Sequence, residues 1–111
     1  MDLHGIFPPI TTPFHNDEID FSALRQNLQR WMTTRIRGVV VLGSNGEAPY
    51  LADEEAYRVI AVAREHVPGD RRLIAGAGCE STRETIAAVT RAAEAGADVV
   101  LVRTPAYYKS Q

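Results

Sequence analysis

The sequence lacks any cluster of basic residues: its 12 Lys and Arg and 14 Asp and Glu are interspersed along 111 residues, for a formal net charge of −2. A nucleic-acid backbone requires a concentrated positive surface, so DNA and RNA are not expected partners. Cysteine is nearly missing too. Cys79 stands alone and has no mate for an internal disulfide, which suits a reducing compartment. No apolar run approaches the roughly 18 residues of a membrane span, and the opening residues carry no basic-then-apolar signal pattern. The expectation is a cytoplasmic protein without a membrane partner. Neither the dinucleotide nor the P-loop glycine pattern occurs, and His4, His15 and His66 lack the mutual spacing of a metal site, so no cofactor and no metal is expected. Lysine is as scarce as cysteine: Lys109 is the only one.

What is present is the composition of one small folded domain, 45% apolar and 23% charged. Two kinds of apolar segment alternate. Val39 to Leu42, Leu73 to Ala75 and Val99 to Val102 are short and nearly continuous, as in parallel strands buried on both faces. A weaker first strand lies near Gly5 to Ile10, where Pro8 and Pro9 argue for an irregular start. Between these runs the spacing becomes helical. Phe21, Leu24, Leu28, Trp31 and Met32 mark a first helix capped by Asp20. A second runs from about Asp53 to His66, with Val59, Ile60 and Val62 on its apolar side and Asp53, Glu54 and Glu55 at its positive end. The third opens with a capping box, Ser81 to Glu84, carries Ile86, Val89, Ala92 and Ala93 on one face, and stops at Gly96. Strands alternating with helices imply an α/β fold with a parallel sheet. Periodicity fits an open doubly wound sheet and part of an eight-stranded barrel equally; a complete barrel needs about 250 residues.

In such folds ligands collect at the carboxyl ends of the strands, where three loops stand out. Gly43-Ser44-Asn45-Gly46-Glu47 has the glycines that let backbone approach a ligand, and successive N–H groups to cradle an anion; it also reads as a simple tight turn. Gly76 to Glu80 leads straight into the third helix. Its Cys79 is either a reactive thiol near a helix start or a small packing residue. Thr104-Pro105-Ala106-Tyr107-Tyr108 places adjacent phenols at a strand end, fit for proton relay or for an interface surface.

Pro9-Ile10-Thr11-Thr12-Pro13-Phe14, the glycine loop and the Thr-Pro-x-Tyr run, in this order and spacing, resemble the dihydrodipicolinate synthase and N-acetylneuraminate lyase family of class I aldolases. The resemblance covers Gly5 to Tyr108 and implies that residues 1–111 are the N-terminal part, strands 1 to 4, of a single (β/α)8 TIM barrel. Asparagine in Gly-Ser-Asn-Gly-Glu, with Gly-Cys-Glu-Ser-Thr, looks most like the branch that cleaves 4-hydroxy-2-oxoglutarate to pyruvate and glyoxylate; dihydrodipicolinate synthase is the alternative. Ser44 and Asn45 would then bind the carboxylate of the 2-oxo acid, mainly through backbone N–H groups. Ser44 would also join a proton relay with Tyr107, which in the family crosses to a neighbouring subunit of a dimer or tetramer; Tyr108 is the fallback. Glu47 looks like a loop-fixing residue.

Enzymes of this kind form a Schiff base on a lysine of the sixth strand. Lys109 follows the fourth strand, so it is expected to be a solvated lysine, and residues 1–111 alone are expected to be inactive. Two rivals from other classes remain: a monomeric flavodoxin-like binding module, and a non-catalytic half barrel that completes its sheet by association.

Overall fold

The computed structural model describes residues 1–108, which leaves Lys109 outside the described residues. Residues 6–10 run extended, as expected for an irregular first strand. Ile10 N–H donates to Val40 O at 2.9 Å and Val40 N–H to Pro8 O at 2.9 Å, but the ladder amounts to a single Pro9–Val40 bridge. Pro8 and Pro9 have no N–H to extend it. Next comes a hairpin that the periodicity did not reveal: β1 (Phe14–His15) pairs antiparallel with β2 (Glu18–Ile19). Asn16 and Asp17 turn it with φ of 51° and 64°, the left-handed pair that a two-residue hairpin requires and these side chains tolerate.

α1 (Phe21–Met32) is capped by Asp20, whose Oδ1 accepts the Ala23 N–H at 2.9 Å. β3 (Gly38–Val41), β4 (Arg72–Gly76) and β5 (Val99–Leu101) form one parallel sheet in that order, with Val39 opposite Leu73 and Ile74 opposite Val99. The crossovers are α2 (Asp53–His66) and α3 (Thr82–Ala95). α2 starts with Glu55 accepting the Ala52 N–H at 2.8 Å, a second use for an acidic first turn. At α3 half of the expected box forms: Ser81 Oγ accepts from Glu84 N–H at 3.0 Å, with no return bond among the described residues. Gly96, at φ 117°, ends α3 in the left-handed conformation, and Ala97 N–H reaches back to Ala92 O.

The core lies between the helices and one face of the sheet. Leu24, Leu28, Ile60, Leu73, Val39, Val41 and Val59 are fully buried there, each contributing about 1.5–3 kcal/mol of hydrophobic stabilisation. Arginines staple the helix layer: Arg58 stacks on Phe21 between α1 and α2, and Arg91 lies 3.7 Å from the Tyr57 ring centroid while bonding Glu54 between α2 and α3. At the end of the sheet away from the candidate loops, Arg64 donates to Gly96 O, Val67 O and Asp98 Oδ2, and Asp98 accepts the Leu73 N–H.

Two expectations are corrected. Val40, Ile74 and Val99, on the other face of the sheet, are only half-buried, because the helices cover a single face. On α3 the buried line runs through Ala92 with Val89 half-buried, whereas Ile86 is 62% exposed and Ala93 is exposed. No described helix is long and apolar enough to cross a membrane.

Candidate functional site

The glycine loop begins with a sharp change of direction. Leu42, directly after β3, has φ 60°, uncommon for a non-glycine residue, and it is buried. Its carbonyl fits only because residue 76 is glycine: a Cβ there would stand 2.2 Å from Leu42 O. The loop then closes on itself, with Gly46 N–H donating to Gly43 O at 3.1 Å and Glu47 N–H to Ser44 O at 3.0 Å. Glu47 holds a left-handed conformation, φ 54°, and contributes to the loop through its backbone.

The loop is tied to the first segment as well. Thr12, 4% exposed, donates its hydroxyl proton to Gly46 O at 2.7 Å. Sequence reading gave Thr12 no role, since a contact across 34 residues leaves no local pattern. Five of the loop's backbone groups are thus engaged internally or by Thr12, yet the N–H groups of Ser44 and Asn45 have no partner among the described residues, and both residues are exposed. Two successive free amides at the carboxyl end of a strand suit an anion such as a carboxylate.

The neighbouring loop holds Cys79. Its N–H donates to Thr85 Oγ1 at 3.0 Å, and burial, helped by Glu84 and Asp53, raises its pKa above the ordinary thiol value. A raised pKa disfavours the thiolate that attack requires, in keeping with a packing residue. Glu80 beside it reaches the segment after β5. Its carboxylate accepts the Ala106 N–H at 3.1 Å, the Tyr107 N–H at 3.2 Å and an Arg103 guanidinium proton at 3.2 Å. These bonds, the Tyr107 N–H first, hold the carboxyl below its usual pKa despite the opposing effect of partial burial.

Tyr107 and Tyr108 are each 80% exposed and meet edge to face, with centroids 5.0 Å apart. The structure does not bring all the expected site residues together: Ser44 and Asn45 are neighbours, but no hydrogen bond joins Ser44 to Tyr107 among the described residues. Two concavities are formed elsewhere, one lined by Glu18, Phe21 and Arg58 and one by Ser81, Ile86 and Val102; neither includes Ser44 or Asn45. No cluster of metal-ligating side chains occurs among the described residues.

Comparison with known proteins shows the family. A model described as the dihydrodipicolinate synthetase family matches residues 2–111. The chain is 40% identical over 112 residues to 4-hydroxy-tetrahydrodipicolinate synthase of Haloarcula marismortui, covering all of this chain and 36% of that protein. It superposes on a crystal structure of a dihydrodipicolinate synthase with TM-score 0.91 and 40% identity, over 96% of this chain and 37% of the other. It also superposes on a monomeric dihydrodipicolinate synthase variant with TM-score 0.92 and 34% identity, over 96% and 36%. The chain therefore spans a little over a third of the length of these relatives. Its fold is α/β, with the parallel (β/α) units of the N-terminal half of a (β/α)8 TIM barrel.

Proposed function

The chain belongs to the dihydrodipicolinate synthetase family, and from that premise we propose that it is the N-terminal portion of a pyruvate-dependent class I aldolase, a carbon–carbon lyase acting through a Schiff base. In this reading residues 1–111 belong to one barrel domain, and strand 6, outside them, provides the lysine. The observation that carries the reading is the pair of free amides at Ser44 and Asn45, held open by the turn bonds and by Thr12. A 2-oxo acid carboxylate docked there is fixed by two N–H donors. Its carbonyl carbon is then presented to the lysine, and the protonated adduct draws electrons from the bond being cleaved.

The Ser44 hydroxyl, exposed beside those amides, relays a proton together with Tyr107. Tyr107 makes no bond to Ser44 within the chain and is largely exposed, which suits a side chain that acts in a neighbouring subunit's pocket. A homodimer or homotetramer is the assembly this implies, in a cytoplasmic enzyme.

For the substrate, Gly-Ser-Asn-Gly-Glu and Gly-Cys-Glu-Ser-Thr favour cleavage of 4-hydroxy-2-oxoglutarate to pyruvate and glyoxylate. The second reading, 4-hydroxy-tetrahydrodipicolinate synthesis, is favoured by the name of a relative 40% identical over the whole chain. Borohydride reduction of the complete polypeptide with pyruvate, followed by mass analysis, tests the common chemistry: a stable adduct on a lysine outside residues 1–111 is expected. An adduct on Lys109 would refute the assignment. Glyoxylate release from 4-hydroxy-2-oxoglutarate, set against formation of 4-hydroxy-tetrahydrodipicolinate from pyruvate, decides between the two substrates.

A further inference from the structure

We propose that Glu80 is the positioning residue for Tyr107, fixing the backbone from which that phenol reaches its relay. The inference rests on the relay role given to Tyr107 above. Three independent features join the loop after β4 to the segment after β5. Ala77 N–H donates to Leu101 O at 3.0 Å, continuing the sheet by one bond. Gly78 then lies so close to Arg103 that a Cβ on it would stand 2.7 Å from both the Arg103 backbone N and its Cγ. Finally the Glu80 carboxylate spans the two consecutive N–H groups of Ala106 and Tyr107, with Oε2 3.1 and 3.2 Å from them, while Oε1 takes the Arg103 guanidinium.

A segment with Pro105 at its centre and no ladder beyond Leu101 has little else to hold it. Arg103 Nη1 bonds Thr104 O at 3.3 Å, and the Tyr107 and Tyr108 rings touch only one another by aromatic contact among the described residues. Charge-assisted bonds are stronger than neutral ones, so an ionised carboxylate on two adjacent amides is the dominant restraint on where Tyr107 begins. Glu80 touches no reacting atom. Its effect on chemistry passes through the placement of Tyr107, where a misplacement of about 1 Å is enough to slow a proton transfer.

The test compares Glu80→Ala, Glu80→Gln and Tyr107→Phe in the complete polypeptide, with kcat, KM for pyruvate and melting temperature measured for each. The expected result is a kcat loss of about tenfold in Glu80→Ala with KM changed less than about twofold. Glu80→Gln, which keeps one acceptor oxygen, recovers most of that rate, and Tyr107→Phe loses more, about a hundredfold. If Tyr107→Phe is slow while Glu80→Ala turns over at the native rate, the positioning role is overturned and the relay stands. If Tyr107→Phe itself is as fast as the native protein, the relay reading fails and takes the proposal with it. Equal losses in kcat and melting temperature for both Glu80 variants would mark a purely structural residue and also overturn it.

Discussion

In the proposed site the Ser44 side chain and the Ser44 amide have separable jobs. Replacing Ser44 by alanine keeps the N–H and removes the hydroxyl, so kcat is expected to fall about a hundredfold while KM for pyruvate stays within a few fold. Asn45→Ala, which retains its amide, is expected to change either constant little. Steady-state kinetics of the two variants checks this; a large KM increase in Ser44→Ala would mean that the hydroxyl grips the substrate. Thr12 makes a sharper case. Thr12→Val keeps the shape but leaves the buried Gly46 carbonyl without its 2.7 Å donor, a loss of about 1–3 kcal/mol. Because that carbonyl belongs to the turn that holds the two amides open, KM for pyruvate is expected to rise about tenfold. Unchanged KM in a destabilised variant would show that the loop keeps its shape without the anchor. Threonine here looked like part of a terminal motif, and only the folded chain reveals what it touches.

Elements were legible where the signal is local. Asp20, Gly96 and the acidic start of α2 each act on backbone groups within a turn of themselves, so their roles can be read directly from order along the chain. The hairpin was not, because Phe14, His15, Glu18 and Ile19 form strands too short to show alternation, and Asn16-Asp17 lacks the glycine that flags a tight turn. Ile86 was misplaced for another reason. Periodicity marks a stripe on α3, but its neighbours choose the buried edge, and Ile86 faces the concavity beside Val102. Between elements, Asp98 offers a measurable link. Its partial burial works to raise the pKa, yet the Leu73 N–H bond and the Arg64 guanidinium bring it below the ordinary value of 3.8. A carboxylate whose folded pKa is depressed stabilises above its unfolded pKa and loses that contribution as pH falls through the folded one. Asp98→Ala is therefore expected to lower stability by about 2 kcal/mol near neutrality. Urea titrations at neutral pH and below pH 3.8 should show the gap between variant and native protein closing in acid. A gap that persists there would assign the loss to packing.

At the scale of the whole molecule, the described sheet has one well-covered face and one half-buried face, and β5 has β4 as its only hydrogen-bonded neighbour among the described residues. Leu101 is 58% exposed and sits next to Val102 on that side. A strand with free backbone groups and apolar side chains pairs readily, so residues 1–111 expressed alone are expected to associate. Sedimentation velocity at about 50 µM checks this, and a sharp monomer would contradict it. The βα layout was visible in the alternation of apolar runs, which left barrel and open sheet equal because both use the same units locally; the motif resemblance chose the barrel, and the superposition agrees. The Thr12–Gly46 bond has a consequence in time as well as in space. The anchor and the turn of the proposed cradle run from Thr12 to Glu47, and all of them precede Tyr107 along the chain. In the proposed reading the substrate grip and the Ser44 half of the relay are therefore synthesised before Tyr107, and the relay is completed last.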